Sequence, residues 1–220
     1  MITSKIKYVI WDWNGTLIDD AWLFVELMNQ ELKKRNLQLI TIQDYRSCFT
    51  FPVKRYYEVL GFDFKKENFK EVGYQFIQEF KKRKFEAQLF PDSLKILDLT
   101  QKLNIKQSIL SAQEHRLLNQ TVKQYKIDHY FEMISGIEHY YADNKISFAK
   151  LIRKNIEFDN NEILLVGDST HDFEVAQALN IKCVLFSNGH YAKGRLLKHN
   201  CIVIDNHMEL IKIYQDKMSG

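Results

Sequence analysis

The sequence predicts an α/β fold, a parallel sheet with helices on both faces, carrying an inserted α-helical cap. Three observations predict it. After Pro91, helices alternate with near-continuous apolar strands, the pattern of a parallel sheet buried on both sides. A strand of the same kind, Tyr8 to Trp11, stands far upstream near residue 10. Between the two, residues 20–88 read as helix almost throughout. The expected division is a core of residues 1–19 and 89–220 and a helical cap of residues 20–88.

The first strand (YVIW) is apolar, aromatic and β-branched, and it ends on an acid, Asp12, before a turn through Asn14, Gly15 and Thr16. A helix follows from Ala21 to Lys34, with Asp19 or Asp20 available as its cap. Thr41 to Phe49 forms a short helix, Pro52 interrupts, and Val53 to Leu60 resumes until Gly61. Lys66 to Lys84 is a longer helix with Phe69, Val72, Phe76, Ile77 and Phe80 on one side. Its basic end, residues 81–84, suits a helix C-terminus and reads as a solvated face. Strands are then expected at Lys106 to Ser111, Glu132 to Ser135, Glu162 to Asp168, Ile181 to Phe186 and Cys201 to Ile204. Helices separate them, and a last one closes the chain near Met208 to Lys217.

Composition narrows the class. Hydrophobic residues make up 45% of the 220, with 15 Phe and 11 Tyr, enough for a sizeable core. Eight Gly and two Pro leave no flexible linker, so any hinge is built from ordinary residues. A net charge of +3, dispersed along the chain, argues against nucleic acid as a partner. Three cysteines, Cys48, Cys183 and Cys201, have no metal-ligand spacing and fit a reduced compartment. The N-terminal apolar run is too short for a signal peptide, and no stretch approaches a membrane span. A cytoplasmic protein, free of membrane, is expected.

Four stretches carry chemistry. Asp12 sits at the carboxyl end of a buried strand, where a charge is costly unless it is used and where open sheets bind ligands. In VGDSTHDF, Asp168 and Asp172 again follow an apolar strand, a source of hard oxygen ligands for Mg²⁺. An Asp172 that merely caps its helix is the plainer reading. In KQSILSAQ, Ser111 lies just past another strand, where a hydroxyl and nearby amides can hold a phosphoryl oxygen, or cap a helix. In ADNKISFAK, Lys145 starts a helix, a poor place for a cation without an anionic partner.

With these stretches in this order, the chain resembles the haloacid dehalogenase superfamily, in particular its phosphoglycolate-phosphatase-like branch with a helical cap after the first motif. The resemblance spans nearly the whole chain and is weakest in the cap. It implies a Rossmann-like core and an Mg²⁺-dependent phosphatase acting on a small phosphorylated metabolite through an aspartyl-phosphate. By that likeness Asp12 is the nucleophile. Asp12, the main-chain carbonyl of Asn14 and Asp168 hold Mg²⁺, with Asp172 binding or orienting beside it. Ser111 and Lys145 hold the transferring phosphoryl group. Lys54 and Arg55, beside Tyr56 and Tyr57, are the cap's candidates for holding an anionic part of the substrate. A monomer or small homo-oligomer is expected.

One residue departs from the family pattern. Phosphatases of this superfamily carry D-x-D-G-T, the second acid protonating the leaving group and then activating water. Asn14 stands at that position. An amide cannot exchange a proton near neutral pH, and such help is worth about 10²–10⁴-fold. Four readings are open: a slowed phosphatase or one specialised for a good leaving group, a phosphate-binding or regulatory protein with degraded catalysis, an engineered trap, or another reaction such as phosphonate or carbon–halogen cleavage. Carbon–halogen cleavage needs no metal, and GDSTHD argues against it.

Overall fold

The structure, a computed structural model, describes residues 6–137 and 145–215, with the backbone alone for residues 145, 147, 151 and 215. Its strands and helices follow the chain. The first part holds β1 (Tyr8–Trp11), β2 (Ile18–Asp19), α1 (Ala21–Lys34), α2 (Ile42–Cys48), α3 (Val53–Val59) and α4 (Phe69–Arg83). Next come β3 (Gln88–Leu89), α5 (Ser93–Lys102), β4 (Lys106–Glu114), α6 (His115–Gln124), β5 (Met133–Ile137) and α7 (Lys145–Lys154). The chain continues through β6 (Ile163–Gly167), α8 (Thr170–Leu179), β7 (Lys182–Phe186), α9 (Lys193–Leu196), β8 (Ile202–Ile204) and α10 (Leu210–Gln215).

Six strands form one parallel sheet in the order β5-β4-β1-β6-β7-β8. Taken as the sheet's own sequence of strands, this is the order 3-2-1-4-5-6 of Rossmann-like proteins. Side chains alternate across the sheet as strand geometry requires. Val9 and Trp11 face a cluster with Ile96 and Leu97 of α5, Leu118 of α6 and Tyr214 of α10. Tyr8 and Ile10 face the opposite cluster, with Ile152 of α7 and Val175 of α8. Helices therefore cover both faces, and the strands can be apolar along their whole length. Two polar side chains of this core pair with each other: Trp11 Nε1 donates to Gln107 Oε1 at 3.0 Å, and Gln107 Nε2 to the Leu97 carbonyl.

Strand β1 lies in the middle because β4 pairs on one side and β6 on the other, Trp11 facing both Ile109 and Val166. The connection leaving β6 runs the other way along the sheet from that leaving β1, which opens a crevice at their carboxyl ends. Asp12, Ser111 and Asp168 all stand within two residues of that register line.

Helices α1 to α4 pack around their own apolar cluster, in which Leu23 and Leu27 of α1, Tyr45 of α2, Tyr56 of α3 and Phe76 of α4 are buried. That cluster extends to Leu185, Tyr191 and Leu196 of the sheet-bearing part. The chain enters and leaves these helices through β2 and β3, an antiparallel pair with Ile18 opposite Leu89 and Asp19 opposite Gln88. Runs of two residues are too short for periodicity to reveal, and neither strand was expected. Helix α4 starts at Phe69 rather than Lys66, because the Asn68 side chain accepts from the Lys70 amide and caps it there.

Candidate active site

Asp12, Asp168 and Asp172 are all buried, and each offers a carboxylate oxygen within 4.8 Å of the others. The backbone builds this. Strand β1 delivers Asp12, whose amide donates to the Val166 carbonyl at 2.8 Å and so locks it to the end of β6. Gly15 then turns the chain at φ 73°, where a side chain would also collide with His190 and Asp168. Thr16 Oγ1 donates to Asp12 Oδ2 at 3.2 Å. At the end of β6, a side chain on Gly167 would collide with Asp172, so the glycine is what lets the two acids approach.

Asp172 does not cap α8 by itself; the N-cap is Ser169, and Asp172 completes a capping box. Its Oδ2 accepts from the amides of Asp168 and Ser169 and from Ser169 Oγ, the last at 2.6 Å. The plainer reading and the metal reading of Asp172 therefore coexist: hydrogen bonds on one oxygen fix the carboxylate beside the other two acids.

Three acids so close in a buried place repel one another. Burial pushes the Asp168 carboxyl up to about 8, with Asp12 and Asp172 adding to the rise and His190 opposing it. A hard cation with oxygen ligands would relieve that repulsion, and the donor set fits one. It would be held by Asp12 and Asp168 with Asp172 beside them.

Residues not singled out from the sequence complete the site. The His190 amide donates to Asp168 Oδ2. Its imidazole is buried between Asp20 and Tyr45: Nε2 lies 3.1 Å from Asp20 Oδ1 and Nδ1 lies 2.7 Å from Tyr45 Oη. Burial alone would lower the His190 pKa, but Asp20, then Asp168 and Asp12, more than reverse this and raise it. One ring nitrogen thus faces a carboxylate and the other a phenol. Asp20 occupies the N-cap position of α1, yet its side chain makes no capping bond. It instead accepts from the Gly15 amide at 2.9 Å and from Asn14 Nδ2 at 2.6 Å. The partners of His190 lie 145 and 170 residues away in the chain, a separation no local pattern reveals. Only the glycine of SNGHY hinted at it: Gly189 stands where a side chain would meet Asp168 and the Gly15 carbonyl.

Ser111 is inside β4, which runs on to Glu114 with a shift in register after Leu110. Its Oγ accepts from the Gln113 amide at 3.0 Å and lies 3.5 Å from Asn14 Oδ1, long for a hydrogen bond. Glu114, not Ser111, caps the next helix. Lys145 begins α7, and its side chain lies outside the described residues. Lys54 lines the cavity that leads from the acids; Arg55 is exposed and is not among the lining residues.

This cavity, of about 440 Å³, runs from Asp12, Asn14, Ser111 and Asp168 into the aromatic interior of α1 to α4. A parallel sheet in this order, with acids from the two strands at its reversal point, places the chain among Rossmann-like α/β proteins with a binding crevice at the strand ends. Residues 9–186 match the haloacid dehalogenase-like hydrolase family, and the chain belongs to it. No match was found among curated protein sequences. Several solved structures share the fold. A predicted phosphatase from Clostridium acetobutylicum superposes with a TM-score of 0.78 at 18% identity, over 96% of this chain and 98% of that one. A predicted phosphoglycolate phosphatase from Haemophilus somnus gives 0.73 at 18% identity, over 96% and 99%. A haloacid dehalogenase-like family hydrolase from Streptococcus pneumoniae gives 0.71 at 17% identity, over 96% and 99%.

Proposed function

We propose that the protein is a phosphatase that hydrolyses a small phosphate monoester through an aspartyl-phosphate on Asp12. The observation that carries this reading is the buried cluster of Asp12, Asp168 and Asp172 at the reversal point of the sheet. Asp12 is the nucleophile, and its carboxylate oxygen attacks phosphorus in line with the ester oxygen. Mg²⁺ is the cation proposed, held by Asp12, the Asn14 carbonyl and Asp168, with Asp172 oriented beside them. When bound, it offsets the charge of phosphate and carboxylate. Ser111 and the amides around it hold a phosphoryl oxygen, and Lys145 is given the same task by its place in the family pattern. Residues 20–88 act as the cap that closes over the phosphate and excludes water, pivoting at the β2–β3 pair. Lys54 is the one of the two cap cations at the cavity.

The names of the fold relatives agree with a phosphatase. No helix among the described residues is long and apolar enough to cross a membrane. Cytoplasmic placement is proposed from the three cysteines without metal-ligand spacing, which fit a reduced compartment. The test is Mg²⁺-dependent release of phosphate from p-nitrophenyl phosphate by the full chain, with Asp12→Asn as the blank. Activity equal to the blank would leave the second reading, a phosphate-binding protein with degraded catalysis. A specific observation favours that alternative: the Asn14 amide is already engaged by Asp20.

A further inference from the structure

The cavity beyond the acids is chemically one-sided. Of its 28 lining residues ten are Phe or Tyr. They come from every inserted helix, among them Phe24 of α1, Tyr45 of α2, Tyr56 of α3 and Phe76 of α4. Away from the acids and the histidines, the charged side chains in the lining are Lys54 and Glu114 among the described residues. Glu114 is occupied with the amides of Arg116 and Leu117. Lys54 is half exposed, 3.9 Å from Glu58, with its ammonium over the Phe64 ring. A carboxylate or second phosphate buried there would find, beyond the half-exposed Lys54, only the unpartnered Tyr56 hydroxyl and His171 Nε2 among the described residues, little to balance a full charge. A flat apolar group would meet aromatic faces and edges on several sides.

Two details sharpen the shape of the occupant. Gly73 lies in the middle of α4 and lines the cavity, and a side chain added there meets no atom within 4 Å. Glycine weakens a helix interior, and at this position it leaves room in the wall. Tyr56 is 1% exposed, and its hydroxyl has no hydrogen-bond partner among the described residues. A polar substituent on the bound group would satisfy it.

We infer that the leaving group is aromatic, so that the substrate is an aryl phosphate monoester; the inference rests on the phosphatase reading. Asn14 supports it independently of the cavity. An amide delivers no proton, so the ester oxygen must depart as an anion. A phenolate, whose conjugate acid has a pKa of about 10, leaves far more readily than the alkoxide of a sugar or glycerol. In the step, a bond forms between an Asp12 oxygen and phosphorus as the aryl oxygen–phosphorus bond breaks. The electron pair leaves on the aryl oxygen, which takes a proton from water. A second water then splits the aspartyl-phosphate to inorganic phosphate and the free carboxylate, and the proton it releases neutralises the hydroxide left by the first.

The experiment measures kcat/KM of the full chain with Mg²⁺ for 1-naphthyl phosphate, decyl phosphate, glycerol 1-phosphate, 2-phosphoglycolate and acetyl phosphate. Naphthyl phosphate is expected to exceed glycerol phosphate and phosphoglycolate by on the order of 10²-fold. Gly73→Leu and Gly73→Phe, which fill the space beside α4, are expected to lower the ratio of naphthyl to acetyl phosphate turnover by roughly 10-fold or more. Phosphoglycolate or decyl phosphate turned over as well as naphthyl phosphate, or an unchanged ratio in both Gly73 variants, overturns the aryl assignment and leaves a phosphatase. Failure on every compound, acetyl phosphate included, overturns the phosphatase reading and the inference with it.

Discussion

The two ends of the one cavity are built on opposite principles. At the sheet end, polar groups hold one another: Asp172 takes three hydrogen bonds on one oxygen, Asp20 ties Asn14 and Gly15, and His190 bridges Asp20 and Tyr45. At the helical end, rings pack on rings, as where Tyr56 meets Tyr45 and Phe49 edge-on at 5.7 and 5.2 Å. The first arrangement fixes positions to within a hydrogen bond's tolerance, as an attacking group requires. The second excludes water and selects by shape and polarity, with little directional demand. Under the proposed function, reaction and selection are separated along the chain: strand ends supply the acids, and the insertion between β2 and β3 supplies the aromatic walls.

Substitutions at the polar end should separate the two roles, beginning with the largest effect. Asp12→Asn is expected to lower turnover of any phosphate ester by on the order of 10⁴-fold or more, as loss of a nucleophile does. Its melting temperature should stay at or above that of the parent, since one buried charge is removed from the cluster. Loss of fold instead would mean that Asp12 is structural.

Asn14→Asp comes next. It should raise kcat/KM for an alkyl phosphate by about 10²-fold while leaving p-nitrophenyl phosphate, whose leaving group needs no proton, nearly unchanged. Burst kinetics would reveal whether breakdown of the aspartyl-phosphate limits both forms. Equal gains for both esters would mean that the amide at 14 affects binding rather than proton delivery.

Asp168→Ala should weaken Mg²⁺ binding at least about 10-fold by calorimetry, because it removes an oxygen ligand where few are available. Unchanged affinity would place the cation elsewhere.

The smallest effect on turnover is expected at His207, which acts through the backbone. It is buried, stacks on Phe186 at 4.4 Å, and donates from Nε2 to the Thr16 carbonyl at 2.7 Å, pinning the turn that follows Asp12. Burial holds its pKa down at about 4, against the pull of that hydrogen bond and of Asp92. In the unfolded chain it would titrate near 6.5, so between those values the unfolded state binds more protons. Stability is therefore undiminished above about pH 6.5 and falls as the pH drops towards about 4, by up to roughly 3 kcal/mol. Thermal melts at pH 7 and pH 4.5 should show the loss, and His207→Phe should flatten it. An equal slope in that variant would assign the acid sensitivity to other groups.

How much of this was legible in the sequence follows from the range of each interaction. Strands β1, β6 and β7 are apolar runs and could be read to within one residue at each end, whereas β4 runs three residues past the expected Ser111. Asp12 and Asp168 stood out because an acid at the end of such a run is expensive. The Asp20–His190–Tyr45 chain could not be read, since each member alone resembles a helix cap, a loop residue or a core tyrosine. Nor could the cavity be foreseen: Phe69, Phe76 and Phe80 recur at helical spacing, which is also how a filled core is written. Only the fold reveals that space was left between those rings. The structure also shifted emphasis within one pair of cations, with Lys54 at the cavity and Arg55 turned to solvent.

The pairing of β2 with β3 has a consequence for how such a protein can be altered. The chain leaves the sheet-bearing part at Ile18–Asp19 and returns at Gln88–Leu89, on neighbouring strands. Neighbouring strands lie about 4.8 Å apart, a gap that a two-residue hairpin turn can span. The segment between is therefore a cassette with both ends at one socket. A replacement would have to restore the contacts that tie α2 to the core, Tyr45 to His190 and Arg46 to the Gly189 carbonyl, while the large sheet keeps its own pairing. On the proposed function, recombination at that socket that kept those contacts would change specificity while Asp12, Asp168 and Asp172 stay in place.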